Sequence, residues 1–164
     1  MEILDSGNRT EFKSGAVRDV QEDKGRMDLV PLDMAGKFIN SWNKYQCDTH
    51  SKLSQVRDFI FILMDDNNFI DAAIVFAKSQ WADPYEALME LSVHFKDGAK
   101  KYGDNNWQKG IPIYCYKSSA LRHLLKALRG DQDEPHNRAF VWNCICAEWT
   151  RIHLPELDIG VCNE

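Results

Sequence analysis

The sequence predicts an all-α fold: a single-domain bundle of five or six helices behind a polar N-terminal arm. Three observations lead there. Apolar residues recur at helical spacing in several stretches separated by Gly, Pro and Asn clusters. No run of alternating residues is long enough to demand a sheet, and the chain has no internal repeat or low-complexity linker. Finally, 164 residues with 44% hydrophobic and 27% charged composition suit one ordinary globular domain with a substantial core.

Taken in order, residues 1–31 are polar, with Gly7, Gly15, Gly25 and a closing Pro31, and read as an extended or looped arm held down by the helices behind it. Leu32, Met34, Phe38, Ile39 and Trp42 predict a helix over about 32–45, broken by the polar cluster Gln46–His50. Leu53, Val56, Ile60, Leu63 and Met64 predict a second helix, which the flanking Phe59, Phe61 and Ile62 make largely buried. After the turn DDNN, the segment from Phe69 is β-branched enough to allow a strand, but Ala72, Ala73 and Ala77 favour a helix. Asp83-Pro84 opens the next helix as an N-cap acid followed by a first-turn proline, and Gly103 closes it. Leu88, Leu91, Phe95 and Ala99 form its apolar stripe. A loop rich in Asn, Gly and Pro leads to Ser118 or Ser119, predicted to cap a helix ending at Gly130. Asp133, Glu134 and Pro135 open the last helix, which stops near Pro155.

The net charge of -5, from 25 acidic and 20 basic residues, argues against an extended nucleic-acid partner. It leaves room for a small anion held by a few local cations with a divalent metal between them. No apolar run is long enough for a membrane span, and MEILDSGNRTEF shows no secretory pattern. The five cysteines, Cys47, Cys115, Cys144, Cys146 and Cys162, form neither a disulfide framework nor a paired zinc motif. Reduced, packing cysteines in a cytoplasmic protein are the expectation.

Three strips carry more polar side chains than packing requires. In 12–31, Arg18, Lys24 and Arg26 lie among glycines that let backbone amides approach an anion, so the strip reads either as a phosphate-cradling arm or as a solvated tail. Glu86, Glu90 and His94 recur every four residues along one helix side, the way bundles present carboxylates to metals. Glu90 has the most apolar neighbours, whereas Glu86 also suits an ordinary first turn and His94 an ordinary boundary position. In 122–143, His123, the acids Asp131, Asp133 and Glu134, and His136 and Asn143 are gathered by two helices and a tight turn. They suit a metal or base cleft as well as they suit a capped helix start.

These strips contain ordered motifs: Phe12, Ser14-Gly15-Ala16, Arg18-Asp19, Lys24-Gly25-Arg26 and Asp28-Leu29 with Pro31, then Glu90-Leu91, Gly98-Ala99, Lys101-Tyr102-Gly103, Asn106-Trp107 and Lys109-Gly110-Ile111-Pro112. Ser119 to Leu125, Gly130, Asp133, His136 and Trp142-Asn143 follow. The set resembles the phage-type dATP/dGTP diphosphohydrolase family over about 12–31 and 86–149, with 32–80 looking like a helical insertion ahead of core helices at 83–155. That family is similar to the all-α, MazG-type nucleoside triphosphate pyrophosphohydrolases.

The resemblance implies hydrolysis of dATP or dGTP to the monophosphate and pyrophosphate, with Mg²⁺ or Mn²⁺ as cofactor. It implies that Glu90, Asp133 and His136 are the catalytic and metal residues, and that Arg18, Lys24, Arg26 and Lys101 bind phosphate. Trp107, Tyr102, Asn143 and His123 would contact the base. It further implies a homo-oligomer serving phage nucleotide metabolism in the host cytoplasm. Two departures stand out: Glu86 and Glu90 are spaced by four rather than as a paired E-x-x-E, and Ala139 stands where the pattern has a second histidine. They keep open an alternative, a catalytically degenerate protein that binds a nucleotide or nucleotide signal; a structural phage component is a third.

Overall fold

The computed structural model describes residues 9–19, 24–46 and 52–158. Six α-helices dominate them: α1 (Leu32–Ser41), α2 (Leu53–Asp65), α3 (Phe69–Lys78), α4 (Pro84–Tyr102), α5 (Ile113–Arg129) and α6 (His136–His153). Short 3-10 turns lie at Met27–Leu29, Trp42–Lys44, Asn106–Lys109 and Pro155–Leu157. The arm holds a two-stranded antiparallel hairpin, β1 (Arg9–Glu11) and β2 (Val17–Asp19), which the sequence reading gave as irregular. Its three-residue strands are too short to show a period, and Gly15 supplies the positive φ of +81° for the turn.

Every residue of α3 is buried, because its small Ala72, Ala73 and Ala77 let neighbouring helices approach from all sides. Phe76 of α3 meets Phe140 of α6 with ring centroids 4.6 Å apart, and both side chains are fully buried. Each such ring contributes about 1.5–3 kcal/mol of burial. The expectation that α2 is largely buried is corrected: Ile60, Leu63 and Met64 face the core, while Phe59 and Ile62 face outward.

The α4 boundaries follow from their chemistry. Asp83 Oδ1 accepts from the backbone amides of Tyr85 at 2.9 Å and Glu86 at 2.8 Å, and Glu86 in turn accepts from Ala82 N at 2.8 Å. Glu86 is therefore a capping residue. Gly103, at φ +89°, and Gly130, at φ +84°, end α4 and α5 where expected. The start of α5 is corrected: it begins at Ile113, straight after Pro112, rather than at the serines. Ile113 and Tyr116 extend the stripe of Ala120 and Leu124 upstream, so tertiary burial carries the helix across Ser118 and Ser119.

Two buried acids brace the bundle. Glu148 of α6 accepts from Lys37 of α1 and from Arg151 Nη2 at 2.8 Å. Asp71 of α3 accepts from Lys44, from Tyr45 Oη at 2.6 Å and from Asn68 Nδ2 at 2.9 Å. Burial alone would push both carboxyls up, but these donors outweigh it and hold them below the usual carboxylate range. Cys144 and Cys146 are buried and Cys115 is half-buried, all unpaired; Cys47 and Cys162 lie outside the described residues. No helix of the described residues is long and apolar enough to cross a membrane.

Candidate functional site

The arm is docked on α4 by backbone contact. Arg26 N donates to Ser92 O at 3.1 Å, and Lys96 Nζ donates to Lys24 O at 2.8 Å. Gly25 lies so close to α4 that a Cβ there would meet Ser92 Oγ at 1.8 Å and the Ser92 carbonyl carbon at 2.9 Å. Only glycine permits this approach. The docking makes Arg18, Lys24, Arg26 and Glu90 walls of one cavity of about 810 Å³, with Met89, Ser92 and Val93 behind them.

The cations there are not equivalent. Arg26 is held by Asp28, with Nε–Oδ1 at 2.8 Å, and by Asp104, with Nη2–Oδ2 at 2.9 Å. These two carboxylates raise its pKa above the ordinary guanidinium value, so its positive charge is already spent on the protein's own acids. Lys101 stands apart from this cavity: its Nζ lies 5.0 Å from the Tyr102 ring centroid, and its pKa is raised by Tyr102.

A second polar region forms where α4, α5 and α6 converge. His123 Nδ1 and His136 Nδ1 are 3.0 Å apart, and His136 Nε2 is 2.8 Å from Asp133 Oδ1. Both imidazoles are buried. Lys126 Nζ donates to Asp133 Oδ2 at 2.6 Å; this bond, then that of His136, lowers the pKa of Asp133. Asp131 is likewise lowered by Arg129, whose Nε donates to it at 2.7 Å. His94 joins from α4: desolvation, followed by the nearby His123, lowers its pKa to about 4. Its ring lies 5.6 Å from that of Trp142.

Glu90 connects the two regions. Its carboxylate lines the arm cavity and is held by Arg138 of α6, with Nε–Oε2 at 2.6 Å. The structure thus brings Asp133 and His136 together, and Arg18, Lys24 and Arg26 together with Glu90. It does not bring Glu90 into one ligand group with Asp133 and His136. Two other groups have donor atoms within 4.8 Å of one another: His123, Glu134 and His136, and Asp131, Asp133 and His136. Imidazole and carboxylate donors together suit a divalent first-row ion, so these residues fit a metal.

The base-contact expectations divide. Trp107 and Tyr102 line an apolar cavity of about 300 Å³ with Phe95, Ile111 and Trp142. Trp107 Nε1 is buried without a hydrogen-bond partner among the described residues. Asn143 and His123 are not among the residues lining that cavity. Asn143 Nδ2 donates to Ala139 O of its own helix at 2.8 Å, and His123 faces His136. Sequence reasoning missed Arg138, placed Glu134 in the third strip without assigning it a ligand role, and set His94 aside. Glu134 lies in the turn just before α6 and Arg138 in the first turn of α6, so local spacing alone did not pair them.

Comparison with known proteins adds one finding. No curated protein and no solved structure matches the chain. A family model described as dATP/dGTP diphosphohydrolase, N-terminal, matches residues 68–159. The matched span runs from the start of α3 through α6, so it includes the fully buried α3, expected as part of an insertion, and leaves out the arm. With more than half its length matched, and with the helices that converge on the histidine region all inside the match, the chain belongs to the dATP/dGTP diphosphohydrolase N-terminal family.

Proposed function

We propose that this protein is a metal-dependent pyrophosphohydrolase of purine deoxynucleoside triphosphates, cleaving dATP or dGTP to the monophosphate and pyrophosphate. The observation that carries the reading is the arm docked on α4, with Arg18, Lys24 and Arg26 lining one cavity with Glu90. Cations facing an acid helix across a cleft supply what phosphoryl chemistry needs, namely positioning and neutralisation of the oxygens' charge. A divalent ion would be held by the histidine–carboxylate region around His136; it would supply Lewis-acid polarisation and an acidified water.

The chain's own residues do the rest. Arg18 and Lys24 take the phosphate oxygens, while Arg26, already bound to Asp28 and Asp104, holds the arm in place. Glu90, released from Arg138 as the anionic substrate attracts that guanidinium, accepts the proton of the attacking water. The cavity of Tyr102 and Trp107 takes the purine, and Lys101 screens charge at its rim. The test is product analysis by ³¹P NMR with dATP and dGTP in Mg²⁺ and in Mn²⁺. The expected products are monophosphate and pyrophosphate in equal amounts, lost in Glu90→Gln. Orthophosphate or tripolyphosphate as the product contradicts the reading.

One observation favours a second reading, a nucleotide binder without turnover. Arg138 occupies the Glu90 carboxylate with two short contacts, Nε at 2.6 Å and Nη2 at 2.5 Å. That reading predicts dATP or dGTP recovered unaltered from a complex that raises the melting temperature.

A further inference from the structure

We infer that the ion of this protein is an imidazole-seeking first-row metal, of the Mn²⁺ to Zn²⁺ class rather than Mg²⁺. It is held by His123 Nδ1, His136 Nδ1 and the Glu134 carboxylate, with Asp133 orienting His136 instead of ligating. The inference rests on the proposed function for the purpose of the site, but on the geometry for its composition.

The hydrogen-bond chain fixes the argument. An ionised Asp133 can only accept, so at the 2.8 Å contact His136 Nε2 carries the hydrogen. In the neutral ring His136 Nδ1 is then a bare lone pair, and it faces His123 Nδ1 at 3.0 Å. Two imidazole nitrogens bound to one ion at about 2.1 Å each lie roughly 3.0–3.4 Å apart, so the pair already has the spacing of neighbouring ligands. Glu134 Oε2 lies 3.9 Å from His123 Nδ1, and the three residues each offer a donor atom within 4.8 Å of the others. Two histidines and one carboxylate with open positions is the donor set that selects first-row transition ions, whereas Mg²⁺ demands oxygen ligands.

Asp133 completes the pattern. A carboxylate accepting from the far nitrogen of a ligating histidine fixes its tautomer and raises its basicity. Lys126, bonded to Asp133 Oδ2 at 2.6 Å, keeps that carboxylate aimed at the ring. Without metal, His123 Nδ1–H donates to His136 Nδ1. On binding, that proton moves to His123 Nε2, both Nδ1 lone pairs face the ion, and neither ring changes its charge.

The test uses the full chain stripped by chelator and titrated with Co²⁺ alone and with Mg²⁺ alone. Co²⁺ uptake is read by visible d–d absorption and calorimetry. One Co²⁺ per chain is expected, bound at least about 100-fold more tightly than Mg²⁺. Glu134→Gln and His136→Gln should each weaken Co²⁺ by at least about tenfold, and Asp133→Asn by about 10- to 100-fold. Glu134 is exposed, so its variant keeps the fold and stays informative if a buried histidine variant does not. Equal affinity for Co²⁺ and Mg²⁺, or a Glu134→Gln protein with unchanged Co²⁺ affinity, overturns the assignment. If Co²⁺ binds as described but no nucleotide is cleaved with any metal, the function fails and the site stands. If Mg²⁺-supported cleavage persists in Glu134→Gln with no Co²⁺ retained, the site fails and the function stands.

Discussion

His94 shows what a single residue contributes. It is most affected by desolvation on the inner side of α4, and its pKa falls to about 4 from an ordinary 6.5. Because the unfolded chain takes up that proton first, neutral His94 supports folding fully above about pH 6.5, and the support is lost as pH falls toward about 4. His123, lowered chiefly by its own desolvation, acts in the same sense. Replacing His94 with Gln should flatten the fall of unfolding free energy between about pH 6.5 and 4, measured by urea titration. Glu90, the proposed base, is the counterpart. Glu90→Gln should lower kcat by about 100-fold or more while the melting temperature hardly moves, since the side chain is partly solvated. The adjacency of His123, Asp133 and His136 was legible because a short turn between helices leaves few other arrangements. The Glu90–Arg138 pair was not: its partners are 48 residues apart, and only the packing of α4 on α6 brings them together.

Among the elements, the arm is the one whose placement matters most. Gly25→Ala puts a methyl where Ser92 Oγ and its backbone stand, at 1.8 and 2.9 Å. The arm should lift, and the KM for dATP or dGTP should rise on the order of tenfold with little change in global stability. Adding Ser92→Ala should restore only part of the affinity, because the backbone atom remains in the way. Helix ends were legible where one residue decides them, as at Asp83-Pro84, Gly103 and Gly130. They were not legible where packing decides: α5 runs back to Ile113 because Tyr116 and Ile113 find the core, against the local preference of Ser118 and Ser119. For the same reason α2 carries an apolar surplus, Phe59 and Ile62, that the described residues leave exposed.

At the scale of the whole molecule, Glu148 ties α6 to α1 through Lys37 and is held within α6 by Arg151. Its carboxylate is buried, while both partners reach solvent, so Glu148→Ala should cost about 1–3 kcal/mol, at or below the range for breaking a fully buried pair. The folded pKa of Glu148 lies below its ordinary 4.5, so this contribution is complete above about pH 4.5 and is lost as pH falls further. The bundle as a class was legible because six amphipathic or buried stretches left no room for a sheet in the core, only for the short hairpin of the arm. The depth of α3 was not, since an alanine-rich helix suits a rim as well as a centre until its neighbours are known.

The central claim is that one nucleotide lies between the arm's cations and the acid-bearing helices. It is tested most directly by a crystal structure with an α,β-non-hydrolysable dATP or dGTP analogue and Mn²⁺. The account predicts phosphate oxygens on Arg18 and Lys24 within reach of Glu90, the ion beside His136, and the purine against Tyr102 and Trp107. An analogue bound elsewhere, with Glu90 still held by Arg138 and the arm cavity empty, would contradict it.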